Sequence, residues 1–131
     1  MTSDSHSDPN MLTVLIVDDA LFMRSMIRDI LTNTGKCKVV GEAANGREAV
    51  DKYRQLMPGL VTMDIVMPEL DGIEATREIL KGDPGATIIM CSALGQEALV
   101  IESIAAGARD FIVKPFTPEK VIRVVEGLTR R

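Results

Sequence analysis

The chain has 131 residues, room for one domain and not two. Its hydrophobic share of 46% and charged share of 26% are ordinary for a soluble globular protein. A net charge of -4, 3% aromatic residues and no Trp argue against a nucleic-acid surface built on bulk charge or base stacking.

The N-terminal stretch MTSDSHSDPN is polar and acidic. It has neither the basic start nor the apolar run of a secretory signal, and no segment of the chain approaches the ~18 apolar residues of a membrane span, so the expected location is cytoplasmic. Residues 1–10 carry no apolar pattern and are expected to be a disordered tail, with 11–131 as the folded domain. The only histidine, His6, lies in that tail. The folded part therefore offers no His metal site, no Ser-His-Asp triad and no phospho-histidine carrier. Cys37 and Cys91 stand far apart without a metal-ligand spacing and read as buried or idle thiols of a reducing compartment.

From residue 11 two kinds of segment alternate. Apolar runs at 12–17, 38–43, 60–63, 87–91 and 110–113 are short, often β-branched and not cleanly alternating, as expected of strands covered on both faces. Between them the spacing predicts helices. The first covers 20–33, with Phe22, Met26, Ile27, Ile30 and Leu31 on one side. The second covers 45–56, with Asn45 as N-cap and Met57-Pro58-Gly59 as its stop. The third covers 73–80 and the fourth 96–106, the latter ended by Gly107. The fifth begins at Thr117-Pro118-Glu119, a cap followed by Pro at the first helical position. Five βα units in strict alternation predict an α/β fold, a doubly wound five-stranded parallel sheet with helices on both faces.

In such sheets ligands bind beyond the carboxyl ends of the strands. There the sequence places Asp18-Asp19 after the first strand, Asp64 after the third, Ser92 after the fourth and Lys114-Pro115 after the fifth. Two carboxylates about 5 Å apart repel by roughly 3 kcal/mol at an effective dielectric of 20, so three together capture protons or hold a cation. All-oxygen donors suit Mg²⁺ or Ca²⁺, and few protein ligands with open positions suit Mg²⁺. Three carboxylates, a divalent ion and the Lys114 ammonium sum to zero, a balance that can accept a dianionic phosphoryl group. One Asp after a strand is ordinarily a helix cap, and a Lys before Pro a solvated loop residue. Four such groups on one sheet edge are not explained that way.

These residues, in this order, resemble the response-regulator receiver domains of two-component signalling. The resemblance rests on IVDDA at 16–20, TMDIVMPELDG at 62–72, MCSALG at 90–95 and DFIVKPF at 110–116, and covers nearly the whole chain. It is strongest toward stand-alone chemotaxis regulators of Gram-positive and thermophilic bacteria. It implies a flavodoxin-like strand order of 2-1-3-4-5. It implies that Asp64 takes a phosphoryl group from a phospho-histidine on a sensor kinase. Asp18, Asp19, Asp64 and the backbone carbonyl of Val66 would hold Mg²⁺, and Lys114 would help stabilise the transferring oxygens. Ser92 and Phe111 fall on the two switch positions: Ser92 moves in to bond the phosphoryl group, Phe111 turns in from the surface, and the face of the fourth helix, fifth strand and fifth helix changes. Such a switch needs about 5 kcal/mol of differential stabilisation. Lys114-Pro115 would carry a cis peptide.

This chain departs from the well-studied enteric regulators in placing apolar Val66 and Leu94 where those have polar residues, which predicts slow self-dephosphorylation. Phe111 lacks the hydroxyl of a Tyr. Gly72 is expected to permit a positive φ, and Arg123 with Thr129-Arg130-Arg131 to complement the last helix dipole. The chain ends with its fifth helix, so output is expected through a separate protein, a flagellar motor switch component in the leading case, with a phosphatase as a further partner. The molecule is expected to be monomeric, to bind neither nucleic acid nor membrane, and to catalyse only its own phosphorylation and dephosphorylation. The alternatives are a phosphorelay intermediate, a degenerate receiver that is not phosphorylated, and an Asp-nucleophile phosphatase of the haloacid-dehalogenase kind. The last is disfavoured because its nucleophile follows the first strand, with a second Asp two residues on.

Overall fold

A computed structural model describes residues 11–129. The expectations for the tail, His6, Arg130 and Arg131 lie outside the described residues. The elements are β1 (Leu12–Val17), α1 (Leu21–Asn33), β2 (Cys37–Ala43), α2 (Gly46–Leu56), β3 (Leu60–Asp64), α3 (Gly72–Gly82), β4 (Ile88–Ser92), α4 (Glu97–Ala105), β5 (Asp110–Val113) and α5 (Pro118–Thr129). All strand pairs are parallel, in the order β2-β1-β3-β4-β5. This is the doubly wound order expected from the resemblance.

The period-two geometry of the strands divides the core. Leu15 and Val17 of β1 join Val61, Met63, Ile88 and Met90 against Ala49, Val50 and Tyr53 of α2 and Ile73 and Ile79 of α3. Val14 and Ile16 join Leu60, Ile89, Cys91 and Ile112 against Ile27 and Leu31 of α1 and Val121 and Val125 of α5. Each central strand is thus apolar on both sides, and this is why the runs did not alternate. Both cysteines are free and buried.

Local chemistry sets the helix starts. Asn45 accepts from the Glu48 amide while the Glu48 carboxylate accepts from the Ala44 amide, both at 2.9 Å. Asp71 accepts from the Glu74 amide at 2.9 Å, which starts α3 at Gly72 rather than at 73. The Thr117 hydroxyl accepts from the Lys120 amide, with Pro118 in the first turn of α5. The Lys114-Pro115 peptide is cis.

Three expectations need correction. Phe22 is not part of the inner face of α1: it is 68% exposed, and the buried stripe is Ile27 and Leu31. Gly72 has no positive φ; in this loop Glu69 does, at 70°. Gly72 is instead a close-approach residue, since a Cβ there would lie 2.0 Å from the backbone oxygen of Asp64. Arg123 sits in the middle of α5 and not in its last turn, where dipole effects are felt.

Candidate phosphoacceptor and metal site

The sheet's carboxyl edge gathers the predicted groups. Asp64 and Ser92 are the terminal residues of β3 and β4, while Asp18 and Lys114 directly follow β1 and β5. Asp18 is 1% exposed, Asp64 8% and Ser92 1%. Asp19 is exposed. Asp18, Asp19 and Asp64 each offer a carboxylate oxygen, all within 4.8 Å of one another. The Lys114 ammonium lies 3.5 Å from Asp64 Oδ1 and 3.6 Å from Asp18 Oδ2. The backbone N–H of Lys114 donates to the Ser92 carbonyl at 2.8 Å, which ties the end of β4 to the Lys114 loop.

Burial pushes the Asp64 carboxyl up to about 6, the Asp18 charge adds to this, Lys114 works against it, and Asp19 adds a smaller push. Asp18 also closes the turn that leads into α1, its Oδ1 accepting from the Ala20 amide at 2.9 Å, while Ala20, the N-cap of α1, receives no side-chain cap. Asp18 is therefore not the helix N-cap that a strand-end Asp ordinarily is, and its Oδ1 serves a local turn instead. Its other oxygen, Oδ2, is buried with no hydrogen-bond partner, as is Ser92 Oγ. A buried carboxylate oxygen in an all-oxygen cluster, without a hydrogen bond of its own, fits a hard divalent cation. Phe111 is 40% exposed on β5, and Val66 and Leu94, 56% and 80% exposed, flank the cluster in sequence.

Residues 14–126 match the family described as the response regulator receiver domain. The chain is 60% identical to the chemotaxis protein CheY of Thermotoga maritima over 117 residues, covering 89% of this chain and 97% of that protein. It is 58% identical to the CheY of Bacillus subtilis over 112 residues, covering 86% and 92%. The chain belongs to the response regulator receiver family. Among solved receivers, CheY in the CheX-CheY-BeF3-Mg²⁺ complex of Borrelia burgdorferi superposes with a TM-score of 0.84 at 40% identity, over 89% of this chain and 88% of that one. Among the described residues of this receiver no helix is long and apolar enough to cross a membrane.

Sequence reasoning missed two residues at the edge of the site. Arg24 Nη1 donates to the backbone oxygen of Asp18 at 2.7 Å, and Arg24 Nε donates to Glu42 at 2.8 Å. Glu42 belongs to β2 and no local motif joins it to α1, so only the folded sheet reveals the pair.

Proposed function

We propose that this receiver is a phosphorylation-activated response regulator that takes a phosphoryl group on Asp64 with Mg²⁺ and signals through a separate protein. The observation that carries the reading is the three-carboxylate cluster with Lys114 at 3.5 Å from Asp64. Asp18, Asp19 and Asp64, with the Val66 backbone carbonyl, would hold the metal. Bound there, magnesium supplies positive charge to the phosphoryl oxygens. A carboxylate oxygen of Asp64 attacks the phosphorus of a phospho-histidine. The P–N bond breaks, the imidazole departs and takes a proton from solvent, and the phosphoryl group remains on Asp64. Lys114 stabilises the charge on the transferring oxygens. The 3.5 Å between its ammonium and Asp64 leaves it ready to turn to them.

Ser92 supports the switch: its hydroxyl is buried and unpartnered, free to bond a phosphoryl oxygen. Beside it, between α4 and β5, runs an apolar groove of about 660 Å³ lined by Ser92, Val100, Ile101, Ile104 and Phe111. Phe111 has room to turn into it, and the α4-β5-α5 face changes as it does. The likeness to chemotaxis regulators supports a chemotaxis sensor kinase as the donor and a flagellar motor component as the target. The Borrelia relative, seen with CheX, adds a CheX-like protein to the partners this reading implies.

The test is phosphorylation by acetyl phosphate followed by partner binding. The wild type should be modified and bind its target; Ser92→Ala should be modified and fail to bind. Normal binding by phosphorylated Ser92→Ala would contradict the coupling.

A further inference from the structure

One polar network ends on the acidic turn from outside it. Glu42 on β2 accepts from Arg24 Nε through Oε1 at 2.8 Å, and from Arg28 Nε and Nη2 through Oε2 at 2.9 and 2.6 Å. The remaining reach of Arg24 goes to the Asp18 carbonyl, 2.7 Å from Nη1. On its other side the Asp18 amide donates to the Ala43 carbonyl at 3.1 Å. The peptide entering Asp18 is thus held by β2, and the peptide leaving it is held by Arg24. That second peptide carries the nitrogen of Asp19, so its orientation sets the direction in which the Asp19 carboxylate leaves the chain. No side-chain hydrogen bond among those of the described residues holds Asp19 itself, and the charges of Asp18 and Asp64 push it outward.

The clamp is well placed to act. The Arg24 and Glu42 side chains are 15% and 25% exposed, so water competes weakly for their bonds. A guanidinium presents donors in fixed directions and can serve the carboxylate and the carbonyl together; an ammonium lacks that planar fork.

We infer that Arg24, oriented by Glu42, is a positioning residue that holds Asp19 within the metal cluster by clamping the Asp18 carbonyl. The inference rests on the magnesium reading above. Partners that orient metal ligands commonly contribute 10–100-fold in affinity, and one acting through the backbone belongs at the low end, about 10-fold.

The experiment titrates Mg²⁺ into wild type, Arg24→Ala, Arg24→Lys and Arg28→Ala, followed by backbone amide shifts, with thermal unfolding in EDTA alongside. Arg28→Ala is the control for structure, because Arg28 shares Glu42 without touching Asp18. Arg24→Ala should bind Mg²⁺ about 10-fold more weakly, Arg24→Lys nearly as weakly, and Arg28→Ala within about twofold of wild type. If Arg24→Ala does not fold, Arg24→Lys carries the comparison. Wild-type affinity in the Arg24 variants, or an equal loss in Arg28→Ala, would overturn the inference. A wild type that shows no saturable Mg²⁺ binding would instead overturn the metal reading on which it rests.

Discussion

Asp64 sits where a negative charge is costly to keep. Burial first, and then Asp18, raise its carboxyl to about 6 in the metal-free protein, against an ordinary value of 3.8. A raised carboxyl means that the folded chain binds more protons than the unfolded chain between about pH 4 and 6, so this group's contribution to stability grows as pH falls through that window and is lost as pH rises. Asp64→Asn should therefore stabilise the metal-free protein at pH 7–8, by about 1–3 kcal/mol, and the advantage should vanish near pH 4. Thermal unfolding in EDTA across that range reads it; a pH-independent difference would contradict the burial argument. In the proposed reaction the same carboxyl must be ionised to attack phosphorus, so phosphorylation at limiting Mg²⁺ should fall below pH 6. Val66 bears on the reverse reaction. In the proposed phosphorylated state its exposed apolar side chain cannot orient a water toward Asp64. Val66→Asn should speed dephosphorylation severalfold, measured as loss of the phosphorylated form after the donor is removed, and an unchanged rate would count against the assignment.

At the scale of elements, the strands and helices were legible because apolar runs and cap residues declare themselves locally. Asn45 illustrates this: Asn45→Ala should cost about 1 kcal/mol in chemical denaturation. The roles that escaped the sequence are those set by packing. Phe22 fits the helical stripe of α1 in spacing, yet the helix turns it outward, which periodicity alone does not decide. The role of Gly72 was invisible because the partner it must approach, the Asp64 backbone, is brought there only by the fold. With a Cβ meeting a backbone oxygen at 2.0 Å and no flexible side chain to yield, Gly72→Ala should destabilise by roughly 3 kcal/mol or more and displace Asp64. Helix α4 lies at the other extreme. Ser103 is its one buried residue, while Ile101 and Ile104 are 70% and 43% exposed. A helix held mainly by the partly buried Leu99 and Val100 costs little to move, as the proposed switch face requires. Hydrogen exchange should show α4 opening more readily than α2 or α3; equal protection would argue against a mobile output face.

For the whole molecule, one rule of topology did most to make the site readable. Parallel strands share a carboxyl edge, so groups distant in sequence that end separate apolar runs must meet there. Asp18, Asp19, Asp64, Ser92 and Lys114 were found this way, and the structure brings them together. Arg24 and Glu42 could not be, since their pairing crosses from a helix to a strand end by side-chain reach alone. What most needs measurement is whether the cluster takes a phosphoryl group. Mass spectrometry of the protein with acetyl phosphate, with and without Mg²⁺, for wild type and Asp64→Asn, addresses this directly. The wild type should gain one phosphoryl group in a Mg²⁺-dependent way, labile to base and absent in Asp64→Asn. An unmodified wild type under every condition, or equal modification of Asp64→Asn, would contradict the proposal.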